Sequence, residues 1–360
     1  MAAAAITPLD PSDVLDLFAP LRSGAPLRGR IVAVEEETAD AATIVIKPGK
    51  DWAGHTPGQY VRVGIDVSGV RQWRAYSLTH GPRADGHISI TVKAVPGGVV
   101  SNHLVHEARP GTLVHLEQAA GDFVLPSDLR SAKLLFVTAG SGITPVIGML
   151  RNLFPVTDSG VLQLPRSRAL DIVVVHVAPS EPDSIFIANL RELAAAGVIN
   201  LVARYDDVHG RLDVDSLAEL VPDLAERSTY ACGPHGLLDA LEAHHDERGL
   251  ALFTEQFRAP MLGQLSGEAA AGGAVTFRDR VVEVGGATPI LDAAEESGLI
   301  MPSGCRMGIC MGCVLPMTEG AVRDLRSGDL TVAVPGETPA GGIKIQTCIS
   351  APAGACIIDH

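Results

Sequence analysis

Four cysteines constrain what this chain can fold into more than any other feature. Three stand close together in Pro302-Ser303-Gly304-Cys305-Arg306-Met307-Gly308-Ile309-Cys310-Met311-Gly312-Cys313, and the fourth follows much later in Gln346-Thr347-Cys348. Cys-x4-Cys-x2-Cys plus a distant Cys is the spacing by which four thiolates hold a [2Fe-2S] cluster, two on each iron. The intervening glycines let such a loop turn tightly and bring backbone N–H groups to sulfur without side-chain interference. Cys305, Cys310, Cys313 and Cys348 are therefore the expected metal ligands. The alternatives are a zinc site, ordinarily built from two paired ligand knuckles, and reduced structural cysteines. Cys356 fits no ligand position and reads as a buried apolar side chain. Clustered cysteines of this kind favour ligation over disulfides and point to a reducing compartment, so a cytoplasmic location is expected.

A cluster loop occupies only part of a chain of 360 residues with 46% apolar side chains, and two or three domains are expected. With 28 Lys and Arg against 42 Asp and Glu, the net charge of −14 opposes binding to a phosphate backbone, so nucleic acid is excluded as the main partner. No apolar run is long enough for a transmembrane helix, and Met1 to Ile6 lack the basic start and long apolar core of a secretory leader.

The texture of the chain changes several times. Residues 1–26 form an N-terminal arm with one amphipathic stretch, Asp13 to Leu21, which Ser12 can cap. From 27 to 128, short β-type runs alternate with turn signals: Gly29–Val34, Ala42–Ile46, Tyr60–Ile65, Arg74–Thr79, Gly86–Ala94 and Thr112–Gln118. Six strands so spaced predict a closed antiparallel β-barrel. From 129 to 256 strand and helix alternate, which predicts an α/β domain with a parallel, doubly wound sheet. Its strands are Lys133–Val137, Asp171–Val177, Asn200–Arg204 and Ser228–Ala231, and its helices include Ile185–Ala195 and Leu237–Arg248. Residues 257–273 read as a linker rich in Gly, Ala and Ser. Residues 274–360 open with a hairpin and a helix, Pro289–Ser297, before the cysteine loop. The fold class expected is thus multidomain.

Two further motifs carry chemistry. In Arg74-Ala75-Tyr76-Ser77, at a barrel strand end, Tyr76 offers a plane for an isoalloxazine ring, Ser77 a hydroxyl for its redox-active nitrogen, and Arg74 a cation for pyrophosphate. Taken alone these four residues are equally compatible with an ordinary strand. They are followed by Val92-Lys93 and by Gly97-Gly98-Val99-Val100-Ser101-Asn102, where glycines permit close phosphate approach and Ser101 is expected to cap a helix aimed at phosphate. The second motif, Gly140-Ser141-Gly142-Ile143-Thr144-Pro145, joins an apolar strand to a helix whose N-terminal amides can hold a pyrophosphate, with Pro145 in the first turn. The histidine pair His244-His245 is expected on a solvated helix face.

Together these segments resemble the ferredoxin–NADP reductase family in the order barrel then nucleotide domain, and the last ninety residues resemble a plant-type ferredoxin with a β-grasp fold. The resemblance implies that Val99, Val100 and Ser101 contact FAD, with FMN as the alternative flavin. It places Cys232-Gly233-Pro234 beside the nicotinamide, with the Cys232 thiol shaping the hydride-transfer pocket, and it returns Glu255 and Phe257 toward the flavin. Ser77, Cys232 and Glu255 are the expected catalytic residues. Ser180, after the second nucleotide-domain strand, favours NADPH and the adjacent Glu181 favours NADH.

The implied activity is electron transfer from NAD(P)H through FAD to a [2Fe-2S] cluster and on to a partner protein. The partner expected from Pro8-Leu9-Asp10-Pro11, Leu27-Arg28-Gly29-Arg30 and Trp73-Arg74-Ala75-Tyr76-Ser77-Leu78-Thr79 is an acyl-CoA desaturase, as in similar actinobacterial reductases. This would bring the protein to the membrane surface through its partner. The alternative is an aromatic-ring, steroid or phenylacetyl-CoA oxygenase. Residues Gly267–His360 hold 11 acidic against 6 basic side chains, which suits an acceptor with a basic docking patch.

Overall fold

The computed structural model describes residues 18–67, 70–96, 98–129, 132–156, 170–257, 272–278, 280–304, 306, 308, 311–326, 328–336, 338–339 and 341–359. Most of the expected arm helix and most of the expected linker lie outside them. The chain divides into two compact units, one built mainly from residues up to Gln256 and the other from Phe257 onward.

The first unit begins with strands β1 (Arg28–Thr38), β2 (Ala41–Pro48), β3 (Tyr60–Val67), β4 (Val70–Ser77), β5 (Ile88–Lys93) and β6 (Leu113–Leu116), in the order β4-β3-β6-β1-β2-β5. Each of the six expected strands forms. Just beyond β4, Leu78 bridges antiparallel to Ile90 of β5 and the Thr79 amide donates to the Ser89 carbonyl (2.9 Å), so the two edges of the sheet meet as a barrel. Ile31, Ile44, Val63, Leu78 and Ile90 fill its interior. The polar members of the alternating β5 pattern are buried too: Ser89 Oγ lies 2.7 Å from Thr79 Oγ1, and Thr91 Oγ1 lies 2.6 Å from Thr43 Oγ1. Helix α1 (Val99–Asn102) follows β5 and runs directly into one π turn, His103–Glu107.

The same unit continues into a parallel sheet of β7 (Lys133–Ala139), β8 (Asp171–Ala178), β9 (Asn200–Tyr205), β10 (Ser228–Cys232) and β11 (Leu252–Glu255), ordered β11-β10-β7-β8-β9. Helices α2 (Ile143–Leu153), α3 (Ile187–Ala195) and α4 (His235–Arg248) connect strands. Parallel strands covered on both faces must be apolar throughout, and β7 is buried from Leu134 to Thr138. The strand order reverses between β7 and β10, which opens a crevice at their carboxyl ends. The structure corrects the reading of His244 and His245, which are buried rather than solvated. His245 lies 2.8 Å from the Leu241 carbonyl and 3.0 Å from Thr229 Oγ1, so it ties α4 to the sheet.

The second unit is a mixed sheet of β12 (Gly273–Phe277), β13 (Arg280–Val284), β14 (Val314–Asp324), β15 (Leu330–Ala333) and β17 (Ser350–Ile358), ordered β13-β12-β17-β14-β15, with β16 (Ile343–Gln346) also on β14. The β12–β17 pair is parallel and the others antiparallel. Helix α5 (Ile290–Glu296) buries Ile290, Leu291 and Ala294 in a core shared with Val275, Met317 and Ile358. Cys356 is part of that core, where burial pushes its thiol up to about 11. Among the described residues no helix is long and apolar enough to cross a membrane.

Candidate functional site

Strand β4 delivers the first group of candidate residues. Arg74, Ala75 and Tyr76 are half-buried, and Ser77 is buried. The Ser77 Oγ has no hydrogen-bond partner among the described residues. A buried hydroxyl without a partner loses roughly 1–3 kcal/mol of hydrogen bonding, so its place beside a barrel end fits a polar ring atom of a bound flavin. Val92 is buried and Lys93 is ion-paired with Asp40 (2.5 Å). Gly98 occupies the N-cap position of α1, and Ser101 lies inside that helix. This corrects the expectation that Ser101 caps a helix. Its hydroxyl instead donates to the Gly98 carbonyl (3.3 Å) and accepts from the Val95 amide (3.2 Å), closing the loop before α1. Val99 is exposed and Val100 buried, so a helical first turn, whose amides lack carbonyl partners within the helix, opens beside an accessible side chain.

The glycine motif lies at the strand-order reversal. Gly140–Gly142 form a 3-10 turn that leads into α2. A Cβ on Gly142 would sit 2.0 Å from the Cys232 carbonyl oxygen, so only glycine lets this turn lie against the end of β10. Thr144 Oγ1 donates to the Ser141 carbonyl (2.9 Å), which holds the turn's shape. Pro145, the third residue of α2, has no N–H to leave unsatisfied there. Gly233 and Pro234 carry the chain from β10 into α4, with Pro234 at its N-cap.

A row of side chains crosses the sheet at this level. In successive parallel pairings His176 is opposite Thr138, Thr138 opposite Cys232, and Cys232 opposite Glu255. Residues in register across a parallel sheet share one face. The sequence reading found Cys232 and Glu255 but missed Thr138 and His176, although a polar residue inside each of two apolar runs was a visible signal. Thr138 Oγ1 lies 2.8 Å from His176 Nδ1, while His176 Nε2 and Glu255 Oε2 are buried without partners among the described residues. Burial lowers the His176 imidazole to about 4 and raises the Glu255 carboxyl to about 8. Burial, then the neighbouring Glu255, pushes the Cys232 thiol up. At neutral pH the row is therefore an uncharged imidazole, hydroxyl, thiol and carboxylic acid. An uncharged floor suits a nicotinamide ring, which changes charge as it gives up a hydride. Phe257, two residues beyond β11, is half-buried.

The raised carboxyl makes stability depend on pH. Glu255 keeps its proton up to about pH 8 when folded, against an ordinary value of 4.5, so its contribution is fully present below 4.5 and is lost as pH rises through 8. Glu255→Gln is expected to melt increasingly above the parent chain as pH goes from 5 to 9. A melting difference that stays constant over that range would contradict the burial of this acid.

Ser180 donates to Asp183 (2.5 Å), and Glu181 is ion-paired with Arg191 (2.7 Å), which in turn reaches Tyr205 Oη (3.3 Å). Both partners of the Glu181–Arg191 pair are about half exposed, so it is a weak surface pair that an incoming anion can rearrange.

In the second unit β14 and β16 bring distant cysteines together. Val314 pairs with Gln346, and the adjoining Cys313 and Cys348 are buried with their sulfurs 3.1 Å apart. Thr347 holds the junction, its amide and hydroxyl both donating to the Cys313 carbonyl (3.2 and 3.0 Å). The 34 residues between the two cysteines are used by β14, β15 and β16. Cys305 and Cys310 lie outside the described residues. The loop that carries them is left-handed at Arg306 (φ 58°), Gly308 (φ 72°) and Met311 (φ 57°). Left-handed backbone at these three described positions lets the loop turn tightly. Arg306 anchors the loop to α5 through Asp292 (2.7 Å) and Glu295, and Gln346 Nε2 donates to the Gly308 carbonyl (2.9 Å). Two buried thiols converging under such a loop fit the thiolate ligation of a [2Fe-2S] cluster.

Barrel, doubly wound sheet and cysteine-bearing β-grasp unit define a class: flavin-dependent oxidoreductases with an appended iron–sulfur domain. Residues 29–125 match the oxidoreductase FAD-binding domain, and residues 276–353 match the 2Fe-2S iron-sulfur cluster binding domain. The whole chain is 42% identical to an NADPH oxidoreductase of Mycobacterium tuberculosis, covering 91% of it. It is 30% identical to the ferredoxin reductase component of 3-ketosteroid-9-alpha-monooxygenase from Mycolicibacterium smegmatis, over 81% of this chain and 86% of that one. Among solved structures, phthalate dioxygenase reductase shares the fold, with a TM-score of 0.57 and 20% identity over 92% of this chain and 97% of that one. The chain belongs to the ferredoxin–NADP reductase family, in the group that carries a C-terminal [2Fe-2S] ferredoxin domain. It is an NAD(P)H-dependent oxidoreductase that uses FAD and a [2Fe-2S] cluster for electron transfer.

Proposed function

We propose that the protein is the reductase of a two-protein system whose terminal component is a diiron fatty acyl-CoA desaturase, with NADPH as the donor. The unpartnered, buried Ser77 hydroxyl is the single observation that most supports the catalytic reading. When bound, the flavin supplies the conversion of a two-electron hydride donor into the one-electron steps an iron–sulfur cluster accepts. Ser77 orients the ring that receives the hydride by hydrogen bonding. Cys232 forms a neutral wall against which the nicotinamide lies, and protonated Glu255 beside it holds an exchangeable proton at a carboxyl oxygen without a partner among the described residues. Arg74, Ala75, Tyr76, Val92, Lys93 and Gly98–Ser101 hold FAD, while Gly140–Pro145 and Gly233-Pro234 hold the nucleotide. Cys305, Cys310, Cys313 and Cys348 ligate the irons.

NADPH is favoured because Ser180 follows β8 and the acid next to it, Glu181, is already neutralised by Arg191. The name of the Mycobacterium tuberculosis relative points the same way. The desaturase reading rests on the Trp73–Thr79 and N-terminal segments, and it would bring the protein to the membrane surface through its partner. A second reading, reductase of an oxygenase, is favoured by the similarity to the 3-ketosteroid-9-alpha-monooxygenase reductase component. Purified holoprotein mixed with NADPH, stearoyl-CoA and membranes containing an acyl-CoA desaturase should form the unsaturated acyl-CoA. Failure there, with NADPH-driven hydroxylation in a reconstituted ring oxygenase, would replace the desaturase by the oxygenase.

A further inference from the structure

The glycine turn that begins α2 and the flavin motif that ends β4 are joined at the far end of α2 by one half-buried cation. Helix α2 reads Ile143-Thr144-Pro145-Val146-Ile147-Gly148-Met149-Leu150-Arg151-Asn152-Leu153, so Arg151 is its one charged side chain. Its Nη1 donates to the Thr79 carbonyl (3.1 Å), two residues past Ser77. Its Nη2 donates to Asn189 Oδ1 (2.7 Å) in α3, and its guanidinium lies 4.6 Å from the centre of the Phe186 ring. A planar fork can hold two such partners at a fixed angle, which a lysine cannot do.

The surroundings are built to receive this side chain. Phe186, the N-cap of α3, is held left-handed at φ 61°, a conformation costly for a bulky residue, and it is buried with its ring against the guanidinium. Glu37 on β1, whose carboxyl accepts from Thr43 Oγ1 (2.5 Å), contributes a favourable charge to the surroundings of Arg151. One turn earlier a Cβ on Gly148 would lie 2.4 Å from the Leu78 carbonyl oxygen, so α2 rests directly on the backbone between Ser77 and Thr79. The barrel thus holds Arg151 through the Thr79 carbonyl, and the nucleotide domain holds it through Asn189 and Phe186.

We infer that Arg151 is a positioning residue for hydride transfer: it fixes α2 as a strut that sets the distance and angle between the nucleotide, whose pyrophosphate is held at Gly140–Gly142 beside Cys232, and the flavin seated at Ser77. The inference rests on the proposed nucleotide and flavin sites. It adds a residue that touches neither ligand and acts through the helix.

The test compares Arg151→Lys and Asn189→Ala with the parent holoprotein, after FAD content, cluster content and melting temperature have been measured for each. The readouts are the long-wavelength charge-transfer absorbance on anaerobic mixing with NADPH, the rate of flavin bleaching, and its deuterium isotope effect with 4-deuterated NADPH. The expected result is a loss of most of the charge-transfer absorbance and an approximately tenfold slower, isotope-sensitive bleaching in Arg151→Lys, with a smaller change in the same direction in Asn189→Ala. FAD content and the KM for NADPH should be retained. Bleaching and charge-transfer absorbance unchanged in the FAD-replete variants would overturn the inference, as would a loss explained wholly by a higher KM or missing FAD. Failure of the underlying site assignment is distinguishable: it would show as a parent protein that binds NADPH without any charge-transfer absorbance or bleaching.

Discussion

Cys313→Ala is expected to separate the two halves of the activity. Its sulfur lies 3.1 Å from that of Cys348, at the point where β14 and β16 join two parts of the chain 35 residues apart. Removing a direct ligand must cost at least as much as losing an outer hydrogen bond to a metal site, so cluster content and NADPH-driven reduction of a one-electron protein acceptor should fall by about 100-fold or more. The barrel and the parallel sheet belong to the other compact unit and keep their own cores, so NADPH should still bleach the flavin and reduce ferricyanide at close to the parent rate. Iron analysis, visible absorbance and the two acceptor assays check this together. Unchanged cytochrome c reduction in a cluster-free variant would show that electrons leave from the flavin directly.

Ser77→Ala carries the second large effect, at the opposite end of the electron path. The hydroxyl is buried and lacks a partner among the described residues, so the folded chain alone gains little from it. The variant should therefore melt no lower than the parent and retain FAD. Deleting one preorganised donor at a reacting centre costs about 100-fold in rate or somewhat more, and flavin bleaching by NADPH, followed by stopped flow, should slow by that order. A variant with unchanged bleaching would mean that Ser77 is an ordinary strand residue. Because the substitution is expected to spare stability, a slow rate cannot be ascribed to unfolding.

The features legible in the sequence were those whose physics is local. Cysteine spacing pointed to an iron–sulfur domain because four thiolates on two irons leave few workable loop lengths, and Gly140–Gly142 could be placed because strand, glycine turn and helix are contiguous. The six barrel strands and a closed barrel could be expected from the strand runs and turn residues, whereas the pair that closes it, Leu78 with Ile90, could not, since nothing near either residue encodes the pairing. Ser101 was misread because a serine after glycines resembles a cap, while here Gly98 is the N-cap and the Ser101 hydroxyl is drawn back to Val95. His244 and His245 were misread because α4 was judged by its own polarity, and the hydroxyl that accommodates His245, on Thr229, comes from a strand 16 residues earlier. The polar row from His176 to Glu255 depends on the order β8-β7-β10-β11 and becomes visible only once that order is known. Arg151 left a signal, the single charge on a mostly apolar helix, but its partners Thr79, Asn189 and Phe186 are 72, 38 and 35 residues away.

The central claim is that one chain carries electrons from a pyridine nucleotide through a flavin to an iron–sulfur cluster. Anaerobic titration of the holoprotein with NADPH, followed by visible absorbance and low-temperature EPR on the same samples, tests it most directly. The expected result is bleaching of the flavin accompanied by the EPR signal of a reduced [2Fe-2S] cluster, with NADH less effective at equal concentration. Flavin bleaching without a cluster signal, in protein shown by iron analysis to be cluster-replete, would contradict electron transfer within the chain.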